Sequence, residues 1–118
     1  FKKKKIRTSL FIDPKLKDIK IAKKLNVDCI ELHTGKISNL VKQKKSFIYE
    51  FKKIKKICEY ANKIGLEVHA GHGLDYKTTK VLSKVKEIEE FNIGHFIIGE
   101  SIIHGIKKTI KKFKKISN

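Results

Sequence analysis

His72 lies between two glycines, directly after an apolar run that ends at Ala70. Glycine permits positive φ and close approach of the backbone to a ligand, so Gly71 and Gly73 can expose amide N–H groups to an anion such as phosphate. Imidazole titrates near neutral pH and suits general acid or base catalysis. On these residues alone, a phosphate site and a plain tight turn with a surface histidine are equally good interpretations.

Two further places in the sequence carry groups with useful chemistry. Gly94 and His95 form a second corner after Ile93, and the apolar spacing beyond His95 predicts one long helix that starts there. A helix N-terminus binds anions through its free N–H groups. Glu31 is a carboxylate in an otherwise apolar run. Because an unpartnered buried carboxylate is costly, we expect Glu31 to face a polar site or to pair with a cation.

The elements that must position these groups are four strands, each followed by a helix. Apolar, β-branched runs predict the strands at about residues 8–12, 27–32, 66–70 and 89–93. Asp13 before Pro14 is expected to cap the first helix. The clearest helical spacing runs from Ser46 to Ile64, with Gly65 as its C-terminal cap. Residues 36–45 are polar and lysine-rich, and we expect a surface loop or a flap over the site.

Alternating strands and helices predict an α/β fold with parallel strands. All strand C-terminal ends then lie at one edge, which brings together Asp13, Glu31, His33, His72, Gly73, Gly94 and His95. No GxGxxG or GxxxxGK[ST] motif follows the first strand, and the glycine corners follow the last two units, which favours a barrel over an open sheet. A (β/α)8 TIM barrel takes about 250 residues. We therefore interpret residues 1–118 as a portion of one domain, the C-terminal half of such a barrel with four βα units.

The composition limits the class of protein. With 40% hydrophobic residues the chain can form a packed core, which argues against disorder. The net charge of +17 would suit nucleic acid, but Arg7 is the only arginine, and base readout and phosphate clamps favour arginine. We interpret the lysines mainly as solvated helix faces.

Cysteines and termini give weaker indications. Cys29 and Cys58 have no CxxC spacing, so neither a zinc site nor a disulfide framework is indicated, and a reduced, cytoplasmic protein is expected. No apolar run approaches the roughly 18 residues of a membrane span. Methionine is absent, including at position 1, and we therefore expect a fragment or a processed chain.

Four segments in this order resemble the pyridoxine 5'-phosphate synthase family: residues 9–13 (SLFID), 31–35 (ELHTG), 70–74 (AGHGL) and 92–95 (NIGH). The resemblance covers essentially the whole chain. It implies a (β/α)8 barrel with extra helices that assembles as dimers within a homo-octamer. It also implies a transferase-type, ring-forming synthase that needs no metal or organic cofactor. The substrates would be 1-deoxy-D-xylulose 5-phosphate and 3-amino-2-oxopropyl phosphate, condensed to pyridoxine 5'-phosphate with release of inorganic phosphate.

The resemblance also implies roles for individual residues. His72 is similar to the family's proton donor, which acts as a phosphate or hydroxyl leaves during ring formation. Glu31 is similar to the glutamate that stabilises developing charge. Gly73, Gly94 and His95 are similar to the groups that bind the amino-oxopropyl phosphate. A capping role alone is expected for Asp13, and structural or surface roles are expected for His33, His69 and His104, with His33 nearest the site.

Several features depart from the family pattern. His69 and Asp75 stand where the family usually has asparagine, and Gly99-Glu100 stands where a small residue and an arginine are expected. The family's general-base histidine, second catalytic glutamate and sugar-phosphate arginines belong to four units outside this sequence. We therefore expect this chain alone to be inactive.

Two alternatives stay open. Another phosphate-binding TIM barrel, such as a sugar-phosphate epimerase or aldolase, would use the same kind of corners. A lysine-rich nucleic-acid-binding module is less favoured, because it leaves the two histidine corners unexplained.

Overall fold

The computed structural model describes residues 6–117, which contain a four-stranded parallel sheet. The strands are β1 (Ser9–Ile12), β2 (Cys29–His33), β3 (Glu67–Gly71) and β4 (Ile88–Asn92), and they lie side by side in chain order. Each strand is followed by helix, so the fold is half of a (β/α)8 barrel. The fold class predicted from the sequence is confirmed.

In the described part of the chain, six helices connect and follow the strands: α1 (Leu16–Lys24), α2 (Gly35–Lys42), α3 (Ile48–Lys63), α4 (Tyr76–Leu82), α5 (His95–His104) and α6 (Ile106–Ser117). The turn after α3 uses Gly65, whose φ of +88° costs glycine little. Helix α4 is capped by Asp75, whose side chain accepts a hydrogen bond of 2.8 Å from the Thr78 N–H. Within residues 6–117, no helix is both long and apolar enough to cross a membrane.

The two faces of the sheet differ in chemistry because successive strand side chains point to opposite sides. Ile30, Leu32 and Val68 are completely buried on the face that packs against the helices, in one core with Ile19 and Ile54. On the other face, the register aligns four residues across the sheet: Phe11, Glu31, His69 and Glu90. The helix side therefore supplies the apolar core, and the opposite side carries polar and ionisable groups.

Residues 36–45 are mainly helical, so the expectation of a loop or flap was wrong. Helix α2 buries Ile37 and Ser38 completely, and Val41 packs partly buried against the core. Ile37 and Val41 are four residues apart and share one helix face. The surrounding lysines and polar residues masked this short amphipathic pattern.

Asp13 does not cap α1, contrary to expectation. The N-cap is Lys15, whose side chain makes no capping hydrogen bond, and the helix begins at Leu16. The Asp13 carbonyl instead accepts a hydrogen bond of 2.7 Å from the Lys15 N–H. The helix thus begins three residues after Asp13, and its N-cap position is occupied by Lys15 instead.

The single long final helix expected after His95 is two helices. Gly105 separates α5 from α6 with φ +82° and ψ +146°. Only glycine adopts this backbone region readily. The periodic isoleucines continue through the break, which is why spacing alone suggested one helix.

Candidate active site

A cleft of about 730 Å³ opens where β3 and β4 end. Four of the five site residues predicted from the sequence line it: His72, Gly73, Gly94 and His95. Lys42, the last residue of α2, also lines the cleft. The helix found in place of the expected flap therefore borders the site. The ends of β3 and β4 and the end of α2 therefore place His72, His95 and Lys42 around the same cleft.

The corner at His72 holds a strained backbone. His72 has φ +81°, a left-handed conformation that side chains other than glycine rarely adopt. Thr34, which is buried at the end of β2, lies beside it. Its hydroxyl is 2.8 Å from the Gly71 carbonyl oxygen and 2.9 Å from that of His72, and its N–H donates to Gly71 at 2.9 Å. Thr34 thus ties the corner to β2, although nothing in the sequence pattern singled it out beyond its place in residues 31–35.

The ring of His72 stacks on that of His33, with centroids 4.4 Å apart and planes 26° apart. Gly35 makes room for the pair, because a Cβ at that position would lie 2.5 Å from His33 Cε1 and 3.2 Å from His72 Cδ2. The Gly35 N–H donates to His33 Nδ1 at 3.3 Å, which leaves Nε2 to carry the proton of the neutral ring. His33 therefore supports the side chain that was predicted to be the proton donor.

The second corner is the start of α5. Gly94 is its N-cap and His95 its first residue, and the Ile98 N–H donates to the Gly94 carbonyl oxygen at 3.1 Å. The N–H groups of the first turn have no intrahelical acceptor, and the helix dipole adds partial positive charge there. Glu100 of the same helix also lines the cleft, where a carboxylate opposes anion binding and Lys42 supplies the opposite charge.

Within residues 6–117, Glu31 forms no ion pair with a cation. Its Oε2 atom accepts a hydrogen bond of 2.7 Å from Asn92 Nδ2, and the side chain is half-buried on the polar face of the sheet. Asn92 itself lines the cleft. The carboxylate predicted to stabilise charge is thus linked to the cleft through a neutral amide.

The remaining predicted histidines and Asp13 lie elsewhere. His69 is buried below the cleft on β3, with Nε2 2.7 Å from Glu67 Oε1, and Arg7 Nη2 lies 2.6 Å from Glu67 Oε2. A hydrogen bond from His69 and, to a smaller extent, one from Arg7 hold the pKa of Glu67 below its ordinary value of 4.5. His104 is exposed at the end of α5, and Asp13 is exposed after β1. Among residues 6–117, His, Cys, Asp and Glu side chains form no group of three or more suited to holding a metal ion.

Comparison with known proteins assigns this chain to a family. The profile described as "Pyridoxal phosphate biosynthesis protein PdxJ" matches residues 1–118. The chain belongs to the PdxJ family. The resemblance predicted from the four sequence segments is thereby confirmed.

Curated relatives within the PdxJ family carry the name pyridoxine 5'-phosphate synthase. The protein from Pelagibacter ubique (strain HTCC1062) is 72% identical over 118 residues, which is 100% of this chain and 49% of the relative. The protein from Sulfurihydrogenibium sp. (strain YO3AOP1) is 43% identical over 98% of this chain and 46% of its own length. That from Ehrlichia canis (strain Jake) is 42% identical over 94% and 44%. The chain therefore spans about half the length of these PdxJ relatives.

Proposed function

We propose that this chain supplies the amino-substrate half of a pyridoxine 5'-phosphate synthase active site. The reaction condenses 1-deoxy-D-xylulose 5-phosphate with 3-amino-2-oxopropyl phosphate to pyridoxine 5'-phosphate, and inorganic phosphate and water leave. The single observation that carries the proposal is the cleft between His72 and the start of α5, because it pairs an acid–base group with an anion site.

Binding of the amino-oxopropyl phosphate is assigned to Gly73, Gly94 and His95. The phosphate would accept hydrogen bonds from the free N–H groups of the first turn of α5, and the His95 side chain would donate another. Lys42 would add a positive charge from the α2 side of the cleft. Its position in the wall of the cleft supports this role.

Proton donation is assigned to His72. A departing phosphate or hydroxyl needs a proton, which an imidazolium can donate near neutral pH. The stack on His33 and the hydrogen bonds of Thr34 hold the His72 ring and backbone, so little reorganisation is needed at the moment of transfer.

Charge stabilisation is assigned to Glu31. Condensation of the amine with a carbonyl group forms a cationic, iminium-like species, and a fixed carboxylate lowers the energy of such a cation. The neutral partner Asn92 leaves the negative charge of Glu31 available for this purpose.

The test uses a completed chain, in which this sequence is joined to the residues of the Pelagibacter ubique relative that lie outside the match. With both substrates, we expect the completed chain to form pyridoxine 5'-phosphate. His72→Ala should lower its turnover by roughly 10²- to 10⁴-fold. His104→Ala, at an exposed position outside the cleft, serves as the matched control and should turn over like the wild type.

Two outcomes would contradict the proposal in different ways. Unchanged turnover in His72→Ala would remove the proton-donor role. A completed chain that forms no pyridoxine 5'-phosphate but interconverts or cleaves sugar phosphates would favour an epimerase or aldolase.

Three wider expectations belong to the same proposal. The chain alone should be inactive, the completed protein should be a homo-octamer built of dimers, and it should act in the cytoplasm. Light scattering of the completed chain measures its mass, and a monomer would contradict the expected assembly.

A further inference from the structure

Glu31 and Asn92 meet although their strands are not neighbours. Glu31 is on β2 and Asn92 on β4, and β3 runs between them. The hydrogen bond of 2.7 Å from Asn92 Nδ2 to Glu31 Oε2 therefore crosses over β3. The register puts Gly71 of β3 directly beside Asn92, so the crossing takes place at a glycine.

Gly71 is required for this crossing. A Cβ atom at position 71 would lie 1.9 Å from Glu31 Oε1 and 2.8 Å from Glu31 Cδ, well inside any real contact distance. Gly71 does not have a positive φ. The glycine at this position is therefore explained by its missing side chain and not by its conformational freedom. Any side chain at this position would force the Glu31 carboxylate to move from the place where Asn92 holds it.

We propose that Asn92 is a positioning residue that holds the Glu31 carboxylate in its working orientation, through the gap left by Gly71. The inference rests on the proposed function. Asn92 fixes one carboxylate oxygen by a directed hydrogen bond and has no charge, so it orients Glu31 without neutralising it. A lysine or arginine in its place would cancel the charge that stabilises a cation. The other oxygen, Oε1, lies over Gly71 at the end of β3, beside the corner that carries His72.

The first test measures kinetics of the completed chain. Asn92→Ala should lower kcat by roughly 10- to 100-fold through misplacement of the carboxylate, with KM for either substrate changed by less than about threefold. Asn62→Ala, at an exposed site on α3, is the matched control and should behave as wild type. A normal kcat in Asn92→Ala would overturn the inference.

A double-mutant cycle separates positioning from a general structural effect. If Asn92 acts through Glu31, then Glu31→Gln with Asn92→Ala should be no slower than Glu31→Gln alone. Rate losses that multiply would mean that Asn92 acts independently of Glu31, and the inference would be wrong. Circular dichroism and the urea midpoint show that each variant is folded.

A conservative variant gives a pH signature. Asn92→Asp places a second carboxylate next to Glu31, and two adjacent carboxylates do not both ionise readily. A protonated Asp at position 92 can donate the same hydrogen bond as the amide, so activity relative to wild type should rise as the pH is lowered. A constant ratio across the pH range would contradict the positioning role.

One readout does not depend on turnover. In the substrate-free completed chain, Glu31→Gln should shift the side-chain amide resonances of Asn92, because its acceptor changes from a carboxylate to a carbonyl. Unchanged resonances would show that the hydrogen bond is absent. If the wild type shows these resonances but has no synthase activity, the proposed function is wrong, and the catalytic part of this inference is wrong with it. If the wild type is active and Asn92→Ala has the same activity, the inference alone is wrong.

Discussion

His72 combines a reactive ring with an unfavourable backbone conformation. A non-glycine residue in the left-handed region costs roughly 1–3 kcal/mol, and it persists only where surrounding contacts determine it. Here the contacts come from Thr34 and from the stacked ring of His33. Glycine would relieve the strain but would remove the imidazole, so the strain at His72 is consistent with a functional reason to keep the ring.

Thr34→Val tests whether the hydroxyl of Thr34 controls the corner. Valine keeps the shape but leaves the His72 carbonyl without that donor, so we expect roughly 1 kcal/mol lower stability and a turnover reduced about tenfold in the completed chain. Thr34→Ser is the matched control: it loses a buried methyl group, at a similar cost in stability, but keeps the hydroxyl and should keep most of the turnover. Equal turnover in the two variants would exclude a role for the hydroxyl.

His95→Ala tests phosphate binding at the start of α5. Removal of a side-chain donor to a charged phosphate should raise KM for 3-amino-2-oxopropyl phosphate by roughly tenfold or more, with little change in KM for the sugar phosphate. Initial rates at varied concentrations of each substrate measure this. If KM for the amino-substrate is normal, His95 does not belong to the phosphate site.

Glu67 should make the folding stability of the protein depend on pH. Hydrogen bonds from His69 and Arg7 lower its pKa in the folded state, so its contribution to stability is present above the ordinary value of 4.5 and is lost as the pH falls through the lower folded value. Urea midpoints measured from neutral pH to below 4.5 should therefore fall more steeply for wild type than for Glu67→Gln. Glu59→Gln, exposed on α3, should keep the wild-type slope. Parallel curves for wild type and Glu67→Gln would contradict the linkage.

At the scale of elements, the sequence predicted what depends on local pattern and failed where distant contacts decide. Strand-helix alternation and the corners at His72 and His95 follow from apolar runs that stop at glycine. The hydrogen bonds of Thr34 and Asn92 join residues far apart in the chain, so no spacing could indicate them. Helix α2 was missed because its few apolar residues are surrounded by lysine, and its identity comes from packing of Ile37 into the core.

Gly105 and Gly99 should respond in opposite ways to substitution by alanine. Gly105 lies between α5 and α6 at φ +82°, with nothing within 4 Å of an added Cβ, so Gly105→Ala should cost roughly 1–3 kcal/mol through backbone strain alone. Gly99 is inside α5 without positive φ and with the same open surroundings, so Gly99→Ala should stabilise by roughly 0.5–1 kcal/mol. Urea unfolding of the completed chain measures both. A stabilising Gly105→Ala would mean that the two helices merge into the single helix suggested by the sequence.

At the scale of the whole molecule, charge and site chemistry are separate. The net charge of +17 comes from lysines, most of which lie on the described helices, whereas the cleft contains Lys42 together with the carboxylate of Glu100. A uniformly basic surface attracts polyanions without selecting among them. The net charge of the chain therefore does not explain the chemistry of the residues that line the cleft.

Nucleic-acid binding should accordingly be weak and governed by salt. We expect a Kd weaker than about 10⁻⁶ M near physiological salt, rising steeply with salt concentration and equal for unrelated sequences. Fluorescence anisotropy with two DNA and two RNA oligonucleotides measures this. Micromolar or tighter binding under these conditions would instead favour the nucleic-acid-binding alternative.

The crossing of Glu31 over Gly71 has an evolutionary consequence. A side chain at position 71 would displace the carboxylate, and loss of the amide at position 92 would leave it unheld. Under the proposed roles of Glu31 and Asn92, we therefore expect single substitutions at positions 31, 71 or 92 to lower activity. We expect the three positions to be inherited as a set across PdxJ proteins, and to change together in descendants that have abandoned the reaction. Such a triplet would distinguish working members from barrels that keep only the shape.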